Sequence, residues 1–269
     1  MRTEKNTNQS SVWFLRLLML ILIGVTVYGL GVLNKTEEIY AGVSDDIDKT
    51  PSVIATATIG DKTLKIPSYD MFKLGNLWLL VSKKQPLEGE AGYKLIDIPV
   101  PHGDEGAPMK IAVDMSDELQ QLVNAAEADE EPLMISSAYR SLAEQQAIYD
   151  EFVEENGVAI ANQYVSPVGA SEHHTGLSVD FSSESDECAE DSDSCSLSQS
   201  GAAWLADNAY KYGFIQRYPQ GKQAITGVAF EPWHFRFVGK PMALAMNGTN
   251  LTFDEVIQQI APGYGAKNE

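Results

Sequence analysis

SEHHTGLSVD at residues 171–180 and EPWH at residues 231–234 together hold three of the four histidines in this 269-residue chain; the fourth is His102. LSVDF at 177–181 reads as a strand. His173 therefore lies in the loop entering that strand and Asp180 lies within it. Gly176 lets the chain fold both side chains towards one point. A catalytic zinc site uses three protein ligands, commonly His nitrogens and a carboxylate oxygen, and keeps a fourth position for water. His173, Asp180 and His234 can supply that set. Glu231 stands three residues before His234, close enough to act as a general base. Pro232 between them blocks regular strand pairing and points to a bulge that re-aims the side chains.

Upstream, LMISSAY at 133–139 reads as a strand, and SAYRS at 137–141 places Arg140 at its end. An arginine there can hold a carboxylate or steady an oxyanion. Ser141 and Glu144 form a capping box, opening a helix that should end near Gly157. Ser116 is expected to cap a helix to about Asp129, with Leu119, Leu122 and Val123 on one face. Residues 202–212 read as a helix stopped by Gly213, residues 235–238 as a final core strand, and Thr252 as the start of a short last helix. Residues 52–67 carry two β-prone runs around Gly60-Asp61, a small hairpin. This order predicts an α+β domain with a small, mainly antiparallel sheet flanked by helices and a site in a cleft on the sheet. Taken singly, the polar residues also fit plain roles: an exposed or core histidine, or a surface ion pair for Arg140.

Composition narrows the function. The chain is 44% hydrophobic and 9% aromatic, enough for a packed core. Its 19 Lys and Arg against 38 Asp and Glu give a net charge of −19, which argues against a nucleic-acid partner because so acidic a chain repels phosphate. Residues 17–33 (LLMLILIGVTVYGLGVL) carry no charge, and residues 12–15 extend the run upstream of Arg16. About 20 residues cross a bilayer, and Arg16 can snorkel. Arg2, Lys5 and Arg16 precede the run and acidic residues follow it, so the chain after Asn34 is expected outside the cell membrane. The organisation expected is a cytoplasmic tail (1–10), a transmembrane anchor (11–33), a linker with the hairpin (34–68), the main domain (69–263) and a tail (264–269). A cleaved signal peptide is the alternative to an anchor. Cys188 and Cys195 bracket a solvated acidic loop; in an exported domain they should form a local disulfide, worth about 2–3 kcal/mol.

The segments SAYRSLAEQ, SEHHTGLSVD and EPWH, in this order, resemble the VanY-type D-alanyl-D-alanine carboxypeptidases, whose signatures read S-G-Y-R-S-x-x-x-Q, S-x-H-x-x-G-x-A-x-D and E-P-W-H. LWLLVSKKQPL at 77–87 resembles the family's opening strand. The resemblance implies one Zn2+ held by His173, Asp180 and His234, with Glu231 as base and Arg140 as the substrate-polarising cation. The family's ligand is the histidine after Ser-x, hence His173; His174 would serve only in a slipped register. Ala138 and Ser178 replace the family's Gly and Ala, both small and expected to be silent. Ser171, Gln145 and Trp233 are candidates for substrate contact, with bracing of loops or a core position for Trp233 as the alternatives. His102 is expected on a surface loop. The implied protein is a monomeric zinc D,D-carboxypeptidase trimming peptidoglycan stem pentapeptides. An L,D-carboxypeptidase, an endopeptidase and a non-catalytic wall-binding module are the alternatives; an anchored, exported domain disfavours a dipeptidase acting on a cytoplasmic dipeptide.

Overall fold

The computed structural model describes residues 53–67, 75–89, 91–103, 108–183 and 197–262. The apolar run at 17–33, the stalk that follows it and the Cys188–Cys195 loop lie outside these residues. Among the described residues no helix is long and apolar enough to cross a membrane.

Among the described residues eight strands form three antiparallel sheets. β1 (Val53–Ile59) and β2 (Lys62–Pro67) make the expected hairpin. β3 (Leu95–Asp97) pairs with β4 (Lys110–Ala112). The main sheet runs β5-β6-β8-β7, with β5 Leu133–Ser137, β6 Ser178–Ser183, β7 Phe214–Gln216 and β8 His234–Phe237. Helices α1 (Ser116–Ala128), α2 (Leu142–Asn156), α3 (Val158–Tyr164), α4 (Gln199–Asn208), α5 (Gln223–Thr226), α6 (Lys240–Met246) and α7 (Phe253–Ile260) surround it. The mixed α and antiparallel β architecture is the one expected.

The sheet's two faces follow from alternation along β6 and β8, where successive side chains point to opposite sides. Val179, Phe181, Phe235 and Phe237 face the apolar core and are at most 3% exposed. Phe181 meets Phe235 edge-on at 5.6 Å. The other face carries Ser178, Asp180, Ser182, His234 and Arg236. A polar face this deep needs partners. Glu172 Oε1 accepts from Arg217 Nε (2.8 Å) and Arg236 Nη1 (3.0 Å), and Arg217 Nη1 reaches Asp254 Oδ2 at 2.5 Å.

Several local expectations give way to tertiary contacts. Residues 77–87 form no strand, only an isolated bridge between Ser82 and Gln85. The carbonyls of Leu77 and Leu79 instead accept from Arg236 Nη2, each at 3.0 Å, while Trp78 Nε1 donates to the Val238 carbonyl. The segment is thus tethered by side chains rather than by a ladder. The hairpin placed in the linker contributes Ile59 and Leu64, both fully buried, to the same core. Packed residues therefore begin before Tyr69, the expected boundary. Ser116 does not cap α1; a 3-10 turn, Val113–Met115, leads in, and Met115 holds the cap position. The capping boxes of Ser141 with Glu144 and of Thr252 with Glu255 both form.

Candidate active site

The sheet register assembles the site. Asp180 on β6 lies directly across from Ser137 on β5 and from His234 on β8, so one row of three strands puts all three on the polar face. A register shift between Ile135 and Ser137 makes this alignment possible. The irregularity expected at Pro232 is of another kind: residues 231–233 form a turn that delivers Glu231 beside the start of β8. His173 arrives from a 3-10 turn, Glu172–Thr175, which Thr175 Oγ1 ties by donating to the Glu172 carbonyl. Gly176 ends that turn at φ +66°; a Cβ there would lie 2.7 Å from Leu95 Cδ2 and 3.0 Å from the Ala112 nitrogen. Only glycine satisfies both demands.

The donor atoms of His173, Asp180 and His234 all lie within 4.8 Å of one another. His173 Nε2 is 3.3 Å from Asp180 Oδ2, and His234 Nδ1 is 2.9 Å from Asp180 Oδ1. The two imidazoles stand edge to face, 5.0 Å apart. Glu231 Oε2 is 3.9 Å from His234 Nδ1. The tautomer of His173 follows from its partner: Nδ1 is 2.7 Å from the Ala138 carbonyl, which can only accept, so Nδ1 carries the proton. Burial lowers the His173 pKa and keeps the ring neutral. Its Nε2 lone pair then confronts a carboxylate oxygen, an arrangement that a cation between them resolves. A neutral, oriented imidazole, an ionised aspartate and a second histidine are the donors zinc takes, and the residues present fit that ion.

The surrounding charges agree. Burial opposes ionisation of Asp180, but His173 and His234 outweigh it and hold the carboxyl below its usual range. His234 is pulled down by burial yet ends near about 9, because the carboxylates of Asp180, Glu172 and Glu231 favour positive charge beside it. Glu231 is pushed up to about 7, first by burial and partly by the Asp180 charge. The carboxylates of Asp180, Glu172 and Glu231 thus face His234 from three sides, an environment that suits a bound cation.

Arg140 stands at the end of β5 with Nη1 on Gln145 Oε1 (2.7 Å) and Nη2 on Ser137 Oγ (2.8 Å). Gln145 is closed to solvent, and its Nε2 donates to the Ser166 carbonyl at 2.7 Å. Both ends of its amide are thus engaged, and it braces the arginine. His174 has both ring nitrogens engaged elsewhere: Nε2 accepts from the Gly169 N–H (3.2 Å) while Nδ1 bonds the Arg140 carbonyl (2.7 Å). Both ring nitrogens hold loops. Ser171 is buried at the entry to the histidine turn. Trp233 is 41% exposed, so it is no core residue but stands at the rim beside Glu231. His102 is half-buried and bridges to Ile135.

Three participants escaped the sequence reading. Tyr218 packs its ring 4.9 Å from His234 and its carbonyl accepts from the Glu231 N–H at 3.2 Å. Glu172 is fully buried against His234 Nε2, at 3.7 Å. Ser178 is not silent, because its hydroxyl donates to Glu172 Oε2 at 3.3 Å. Only the placing of Arg217 and Arg236 among strand-forming apolar residues hinted that charges would be paired inside.

The family model described as VanY, D-alanyl-D-alanine carboxypeptidase, matches residues 108–240. A putative carboxypeptidase of Bacillus subtilis (strain 168), YodJ, is 35% identical over 190 residues, which is 69% of this chain and 68% of that protein. Among solved structures, a vancomycin resistance D,D-pentapeptidase VanY from a VanB-type cassette, in complex with Zn(II), is 32% identical with a TM-score of 0.58, covering 67% of this chain and 98% of the other. The LdcB LD-carboxypeptidase is 32% identical with a TM-score of 0.61, over 76% and 94% of the two chains. Alike in sequence across two thirds of a relative's length, and alike in fold, the chain belongs to the VanY family of D-alanyl-D-alanine carboxypeptidases, which are zinc-dependent hydrolases.

Proposed function

We propose that the chain is a membrane-anchored D,D-carboxypeptidase that removes the terminal D-Ala from peptidoglycan stem pentapeptides, working outside the bacterial cell membrane as a monomer. One observation carries the reading: a compact His173–Asp180–His234 donor cluster with Glu231 beside it and the Arg140 guanidinium held at the strand end. His173, Asp180 and His234 hold the metal. Zinc bound there supplies a Lewis acid for the scissile carbonyl and acidifies water. Glu231 takes the proton of the attacking water and returns it to the departing amine; a carboxyl titrating near neutrality suits both transfers. Arg140, with its fork fixed by Ser137 and Gln145, faces the charge that develops on the carbonyl oxygen. Trp233 at the rim and Ser171 beside the turn are proposed to line the peptide's path.

A second reading, an L,D-carboxypeptidase acting on tetrapeptides, is favoured by the likeness to LdcB. The intact set of donors, base and guanidinium disfavours a non-catalytic wall-binding module.

Mass spectrometry of synthetic stem peptides decides between the enzymes. The purified chain should remove one D-Ala from a pentapeptide ending in D-Ala-D-Ala and leave the tetrapeptide whole. Release of the residue from the tetrapeptide instead would establish the second reading.

The roles separate in a variant series. His173→Ala should lose zinc and activity together, whereas His174→Ala should keep zinc. Glu231→Gln should retain near wild-type zinc, since a proton carrier is removed and no ligand is, while turnover falls by at least ~10²–10⁴-fold. Metal content by atomic absorption beside kcat reads all three. Zinc lost from Glu231→Gln, or near-full activity in it, would overturn the assignment of the base.

The uncharged run at 17–33 and the basic residues before it support the topology. A protease-sensitive tag after Glu269 should be cleaved in intact cells stripped of their wall, with the protein in the membrane fraction. A shortened, freely soluble form would favour a cleaved signal peptide.

A further inference from the structure

Glu172 is a charged residue fully buried one position before a proposed metal ligand, and its two oxygens are used differently. Oε1 accepts from both Arg217 Nε (2.8 Å) and Arg236 Nη1 (3.0 Å). Oε2 accepts from Ser178 Oγ (3.3 Å) and is turned towards His234 Nε2, 3.7 Å away. That ring nitrogen is buried and has no hydrogen-bond partner among the described residues. The other nitrogen of the same ring, Nδ1, faces Asp180 Oδ1 at 2.9 Å. The two arginines are themselves fixed, Arg236 by the Leu77 and Leu79 carbonyls and Arg217 by Asp254. Glu172 therefore cannot swing away without abandoning a buried ionic network.

We propose that Glu172 is the positioning residue of the metal centre: its carboxylate, 3.7 Å from His234 Nε2, is the negative charge that favours the proton on that nitrogen, holding the ring in the tautomer that offers Nδ1 to zinc. A histidine ligand that donates its second N–H to a carboxylate is oriented and made more basic. Glu172 touches neither substrate nor metal. Ser178, standing where the family pattern has alanine, adds a donor that keeps Oε2 aimed at the ring. The inference rests on the proposed His173–Asp180–His234 site, and its test keeps the two apart.

The measurement is the zinc dissociation constant of the full chain, by competition with a chromophoric chelator, for wild type, Glu172→Gln and Asp254→Asn, each with its thermal midpoint. Glu172→Gln should weaken zinc by about 10–100-fold, the usual effect of losing such a partner. Asp254→Asn loosens the same arginine network from its far side; it should lower the midpoint while zinc affinity stays within about twofold. Equal zinc affinity in wild type and folded Glu172→Gln, or equal weakening in both variants, would overturn the role of Glu172. A wild-type chain that binds no zinc would instead overturn the metal site beneath it. Should Glu172→Gln not fold, nitrogen-15 NMR of zinc-loaded wild type decides: the His234 proton is expected on Nε2, and a proton on Nδ1 contradicts the proposal.

Discussion

The Asp180 carboxylate lies between two histidines, 3.3 Å from His173 Nε2 and 2.9 Å from His234 Nδ1, and the rest of the site depends on that arrangement. Three antiparallel strands enforce it, because cross-strand neighbours share a face and their separation is set by the ladder. The row Ser137, Asp180, His234 then positions everything else by short chain distances. Arg140 follows Ser137 by three residues, and Glu231 precedes His234 by three, on a turn. The Glu231 carboxylate and the Arg140 guanidinium are thus placed relative to the donor cluster without long, soft connections.

Burying so much charge is unfavourable unless each group is paired, and an isolated half of a buried pair destabilises by about 3–5 kcal/mol. The structure resolves this by giving the sheet two unlike faces. One is packed with Phe181, Phe235 and Phe237. The other is a connected polar layer in which Glu172 joins Arg217 and Arg236, and Arg236 ties down the carbonyls of residues 77 and 79. The same layer that accommodates the charges therefore replaces the missing strand at 77–87 and braces the second histidine. Fold and site share one network, so rigidity at the metal comes from groups that also hold the domain together.

Much of this was legible in the sequence where the signal is local. The strands at 133–137 and 178–183, the capping box at Ser141, the helix start at Thr252 and the helix stop at Gly213 each depend on neighbours a few residues away. The donors His173, Asp180 and His234 were legible as a set because metal chemistry restricts residue types. What stayed hidden depends on long-range contact. The hairpin's membership of the core rests on Ile59 and Leu64 meeting helices near the other end of the chain. The segment 77–87 resembles the family's opening strand, yet the carbonyls of Leu77 and Leu79 go to a guanidinium 159 and 157 residues away. Gln145 looked able to reach substrate until its amide was found between Arg140 and Ser166, and His174 was separated from His173 only by the partners of its two nitrogens.

The central claim is that the charge arrangement around Asp180 is made for one cation with three protein ligands. Anomalous diffraction at the zinc edge from crystals of the purified chain tests it most directly. The account predicts a single strong peak within ~2.0–2.2 Å of His173 Nε2, an Asp180 carboxylate oxygen and His234 Nδ1, the range of zinc–nitrogen and zinc–oxygen bonds, with Glu231 outside that distance. A peak ligated by His174, by Glu231 in place of Asp180, or by His234 Nε2 would contradict it.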